Sequence, residues 1–98
     1  MYRQGDILLM PIPEETAPVV SLSQPRDARG RLVLSYGEAT GHAHVILGPG
    51  TLSRGFLYLP VGGRLVHEEH AAITLPKGWY RVIRQPKDVP GPHRVMTG

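Results

Sequence analysis

The sequence predicts an all-β domain, a small antiparallel barrel or sandwich of six to eight short strands. Three observations carry that expectation. Glycine (12) and proline (10) together make 22 of the 98 residues, about twice their average share, and that much punctuation leaves no room for long helices. The apolar runs are short and rich in Leu, Ile and Val. Turn signals separate them at intervals of roughly 8–12 residues, the spacing of a sandwich or small barrel.

Taken in order, Asp6–Ile12 reads as a first strand, ended by Pro11 and Pro13. Residues 13–30, with Pro13, Pro18 and Pro25, form a loop long enough to be a flap or protruding arm. Arg31–Tyr36 is a second strand and Gly37–Gly41 a tight turn. His42–Leu47 is a third strand, stopped by Gly48-Pro49-Gly50. Thr51–Leu59 holds one or two strands kinked at Gly55, and Pro60–Gly63 is a turn. Arg64–His67 and Ala71–Leu75 are strands bent at His67–His70; the glutamates and alanines of Leu65–Ile73 also admit a helix. Leu75-Pro76-Lys77-Gly78 is a β-turn, Trp79–Gln85 the last strand, and residues 86–98 a Pro-rich tail. Of Trp79 and Tyr80, one belongs to the core and the other to an edge. Tyr36 and Tyr58 read as strand packing.

One domain of 98 residues has one core. The absence of cysteine excludes disulfides, a thiolate zinc site and a cysteine nucleophile. No apolar run is long enough for a membrane span or an export signal, so the expected compartment is the cytoplasm. The net charge of +3 is uneven. Residues 1–76 carry six basic against seven acidic residues. Residues 77–98 carry five basic, among them Lys77, Arg81, Arg84 and Lys87, against one acidic. Such a strip can attract nucleic acid or another anion, although a solvated basic face explains it as well.

The histidines carry the chemistry. His42 and His44 stand two apart on a strand, hence on one face, with the small Ala43 turned away. His67-Glu68-Glu69-His70 adds a second pair with two carboxylates. Neutral imidazoles joined by a carboxylate suit zinc, nickel, iron or copper better than calcium or magnesium. The expected metal ligands are therefore His42, His44, His67 and His70, with Glu38, Glu68 or Glu69 as a further ligand or general base. The spacing is not that of the zinc-peptidase helix, whose histidines stand four apart. Glu68-Glu69 also reads as a solvated bend, Thr40 as a turn stabiliser, His93 as incidental, and Asp6 as fixing the start of the first strand.

Two resemblances follow from these stretches. Gly37…His42-Ala43-His44 with Pro76-Lys77-Gly78 resembles the cupin superfamily, which implies a β-barrel with His42 and His44 on a metal. Leu47 and Gly48 replace the glutamate usual after the second histidine, and the other histidines precede the Pro-x-Gly turn. The resemblance thus implies a cupin-like barrel with a rearranged site. Gly5-Asp6-Ile7-Leu8, Gly37–His44 and His67–Tyr80 together resemble a group of small uncharacterised bacterial and phage-associated proteins. That resemblance implies no activity.

The leading expectation is a divalent-metal-binding β-domain whose metal, given an open coordination position, activates a water or binds a small oxyanion or oxygen-bearing ligand, with or without turnover. Two other classes fit the residues. One is a metal-free phosphoesterase or nuclease using histidines as acid and base. The other is a non-catalytic module that docks nucleic acid or protein through the 13–30 loop or the basic tail. Apolar edge strands also allow a homodimer.

Overall fold

A computed structural model describes residues 1–19, 22–37 and 41–85. Nine strands are described: β1 (Tyr2–Gln4), β2 (Ile7–Ile12), β3 (Leu32–Tyr36), β4 (Ala43–Leu47), β5 (Thr51–Ser53), β6 (Phe56–Leu59), β7 (Gly63–His67), β8 (His70–Leu75) and β9 (Gly78–Arg84). They form two antiparallel sheets, β1-β2-β9-β6-β5 and β3-β4-β7-β8. The sheets share one core in a sandwich. Ile7, Leu9, Leu52, Leu57, Leu59 and Tyr80 from the first meet Leu32, Ile46, Leu65 and Leu75 from the second. Strand alternation produces this directly: in β6, Leu57 and Leu59 are buried while Phe56 and Tyr58, which alternate with them, are half-buried.

The all-β class is as expected, and the architecture is a sandwich rather than a closed cupin-like barrel. The strand count exceeds six to eight for two reasons. Tyr2–Gln4 is too short to show a period, yet it pairs with β2 across the two-residue Gly5-Asp6 loop. Gly5 has φ +59, the geometry for glycine in first place of a tight hairpin turn. Thr51–Leu59 divides cleanly into β5 and β6, because Arg54 (φ 52) and Gly55 (φ 82) make the two positive-φ positions of a type I′ hairpin. Leu65–Ile73 is strand, not helix, since pairing with neighbours on both sides of β7 outweighs the helix propensity of Ala and Glu.

Residues 13–30 do not form a free arm throughout. Glu14–Thr16 is one 3-10 turn. Beyond it Gln24 N–H donates to Leu52 O at 2.6 Å and Ser23 Oγ accepts from Leu52 N–H at 3.0 Å, which ties the segment to β5. The Gln24 side chain donates to Val33 O, so the same segment spans from one sheet to the other. Pro76 and Lys77 then carry the chain from β8 in one sheet to β9 in the other. Tyr80 is core and Trp79 lies outside it. Tyr36 is not packed but 72% exposed, because it ends β3.

Candidate functional site: a histidine cluster closed by the first hairpin

Two bulges shape the site. In the β3–β4 ladder the register shifts between Val33 and Ser35, so that Ser35 pairs with His44. In the β7–β8 ladder it shifts between Leu65 and His67. Leu65 pairs with Ile73 and His67 with His70, which leaves Ala71 and Ala72 opposite Val66 alone. Bulges re-aim side chains in this manner beside functional sites. The second one sets His67 and His70 directly across their hairpin, with ring centroids 4.7 Å apart.

His44 enters from β4 and is 4% exposed. Its ring lies 4.3 Å from that of His67 and 5.9 Å from that of His70. His42, just before β4, is 5.7 Å from His67 and its Nδ1 lies 3.4 Å from Glu69 Oε2. The fold therefore brings all four histidines into one cluster at one end of the sandwich.

Three residues to which sequence reasoning gave no part in the site complete it. Gln4 is buried and its Nε2 donates to Leu65 O (3.1 Å) and Ala71 O (2.9 Å), beside the bulge in the other sheet. That leaves Gln4 Oε1 as an acceptor, 2.9 Å from His44 Nδ1. His44 must therefore carry its proton on Nδ1, and Nε2 holds a lone pair. Asp6 Oδ1 stands 3.2 Å from that Nε2. Gly5 forms the wall between: a Cβ there would lie 3.0 Å from His70 Nε2 and 3.3 Å from His44 Nε2. Two imidazole nitrogens thus flank the space that the missing side chain leaves. The Gly-x hairpin signal at Gly5-Asp6 was the one clue that could have placed these residues.

Electrostatics sharpen the arrangement. Burial pushes the His44 pKa below its usual value, the positive charge His67 would carry lowers it further, and Asp6 opposes both. A neutral His44 directs its lone pair at a carboxylate oxygen, two acceptors at hydrogen-bond distance. A proton or a cation between them relieves that contact. His67 differs, because its Nδ1 accepts the Glu69 N–H at 3.0 Å and its neutral ring then carries the proton on Nε2. Among the described residues, no group of three or more His, Asp or Glu side chains is arranged to hold a metal ion as it stands.

The expected carboxylates fare differently. Glu68 Oε1 accepts the Ala43 N–H at 2.9 Å, pinning the turn to β4. That bond, and one from its own backbone, hold its pKa below the ordinary carboxylate value. Glu69 is exposed at the rim beside His42. Glu38, Thr40, Lys87 and His93 lie outside the described residues. Of the basic strip, Arg81 points out of the sandwich. Arg84 stands on the other side of β9, in register with the core residue Ile7, and Lys77 sits in the connection between sheets.

Fold and cluster together define a small β-sandwich with a histidine cluster at one end. The chain belongs to the family described as a domain of unknown function, DUF8820, which it matches over residues 3–85. The match spans the Gly5-Asp6 hairpin and both histidine pairs, and no cupin family is among the findings. Neither the curated proteins nor the solved structures contain a match. Among the described residues no helix is long and apolar enough to cross a membrane.

Proposed function

We propose that the cluster binds a divalent transition metal through His44 Nε2, His70 Nε2 and the Asp6 carboxylate, with His67 as a further donor at the rim. The observation that carries this is the His44–Asp6 contact. A lone pair fixed by Gln4 and a carboxylate oxygen face each other at 3.2 Å, and His70 Nε2 reaches the same bare Gly5 surface. Two imidazoles and one carboxylate are the donor set of zinc, iron, nickel or copper sites that keep coordination positions open. Small rotations of the His70 and Asp6 side chains bring the donors together. His67 joins only by giving up the Glu69 N–H. Gln4 acts as the outer partner that sets ligand tautomer and ring orientation.

Bound there, the ion supplies a Lewis acid for a small oxyanion or oxygen-bearing molecule. Glu69 and His42 at the rim are placed to exchange protons with such a ligand, and Glu68 serves structure rather than chemistry. The compartment we propose is the cytoplasm.

The test is calorimetric titration of chelator-stripped protein with zinc, nickel, cobalt(II) and iron(II), alongside the visible spectrum of the cobalt form. One ion per chain is expected, lost in His44→Ala, His70→Ala and Asp6→Asn. Failure of every ion to bind, or binding indifferent to these substitutions, rejects the reading. One observation favours a second reading. His44, held by Gln4 on one side and Asp6 on the other, has the layout of an oriented general acid or base. A hydrolytic activity on phosphoesters that resists chelators but disappears in His44→Ala would select it.

A further inference from the structure

The outward face of the five-stranded sheet is built unlike a solvated surface. Alternation sends Leu9, Leu57 and Tyr80 into the core and leaves Met10, Phe56, Tyr58, Trp79 and Arg81 pointing away from it. Tyr58 pairs in register with Trp79, and their rings lie 4.8 Å apart at 32°. Phe56 pairs with Arg81 in the next row, and Met10 flanks Arg81 from the other side. Arg81 is exposed while the aromatic residues around it are half-buried. No outward-facing strand position of this sheet is acidic, and both of its charged positions, Arg3 and Arg81, are arginines.

We infer that this face is a binding platform for single-stranded nucleic acid. Planar bases stack on Phe56, Tyr58 and Trp79, and Arg81 meets the phosphates or stacks on a base in turn. Aromatic rings interleaved with a guanidinium are what a sequence-tolerant strand requires, because every base offers a π-face and every linkage a negative charge. The obvious competitor, a second copy of the chain, is disfavoured by position. Arg81 lies midway along β9, the middle strand of the sheet. A two-fold face-to-face dimer would bring two unneutralised guanidiniums together at its centre. The platform is separate from the histidine cluster and does not depend on a metal there.

Trp79 is the only tryptophan of the chain, so its fluorescence reports on the platform directly. The probes are labelled oligo(U) and oligo(dT) of about 12 nucleotides, a length within single-domain footprints, at roughly 50 mM salt, where phosphate contacts are strong. Binding is expected to raise probe polarisation and quench Trp79. Arg81→Glu and Tyr58→Ala each weaken it by about tenfold or more. Arg29→Glu, the same charge change away from this face, has a far smaller effect. Circular dichroism checks the fold of each variant, and Arg81→Glu, at an exposed position, carries the test if Tyr58→Ala does not fold. The inference is overturned by absence of binding to both probes, or by equal loss in Arg29→Glu and Arg81→Glu. It is equally overturned by a preference for anionic vesicles, or by a dimer in which Trp79 is shielded from both probes.

Discussion

At Gly5 a side chain has nowhere to go. The backbone is left-handed there, and a Cβ would press against His70 Nε2 and His44 Cε1 at 3.0 and 3.1 Å. Gly5→Ala is expected to cost about 1–2 kcal/mol in backbone strain and to block ion binding, which parallel thermal melts and titration calorimetry check. Gln4 tests the same site from behind. Gln4→Leu removes the acceptor of His44 Nδ1 and strands two carbonyls. The expected outcome is a stability loss of about 1–3 kcal/mol, with ion affinity falling roughly 10–100-fold. If Gln4→Leu binds metal as tightly as the parent chain, Gln4 has no part in orienting His44. Neither residue stood out in the sequence. Their importance comes from a partner some sixty residues away, and no local pattern records such a contact. The histidine pairs were legible because strand periodicity alone places His42 and His44 on one face.

At the scale of elements, the β8 bulge is a working part. Deleting Ala72 restores an unbroken ladder with His67 still opposite His70, and it removes the local bend and twist by which the bulge aims these two rings. The expected result is a folded chain that no longer binds the ion, seen by calorimetry alongside an unchanged circular dichroism spectrum. The 22–31 segment makes a different prediction. Asp27 accepts from Arg31 and Arg29 backbone N–H groups and pairs with the Arg31 side chain at 2.7 Å. The backbone bond from Arg31 above all holds its pKa below 3.8. The unfolded state then binds the proton first, so Asp27 contributes stability above that value and loses it as pH falls further. Urea melts between pH 5 and 2 are expected to show a shallower acid decline in Asp27→Asn than in the parent chain. Proline spacing tells where strands cannot form, but says nothing of the Ser23 side chain that fastens the segment to β5 or the Gln24 side chain that fastens it to β3.

For the whole molecule, the core joins the two sheets through leucine and isoleucine side chains that exclude solvent fully. Leu57→Ala is expected to lower stability by about 2–5 kcal/mol, measured by chemical denaturation. A bound ion works the other way. At a hundredfold excess over its dissociation constant it adds about 2.7 kcal/mol, raising the melting temperature of a chain this size by roughly 10–20 °C. Short apolar runs separated by regular turn signals made the all-β class readable in advance. How nine strands divide between two sheets was not readable, because β2 pairs with β9 and β4 with β7, and such distant pairings have no local trace.

The first strand bears on how the histidine cluster is held together. It is three residues long, has one partner in its sheet, and lies at that sheet's edge. It nevertheless holds Gln4 and leads into Gly5 and Asp6, which lid the imidazoles. Short edge strands detach at low free energy while the rest of a fold stays intact. The histidine cluster therefore leans on a short edge strand, and amide hydrogen exchange at Tyr2–Gln4 is expected to run faster than in the central strand β9.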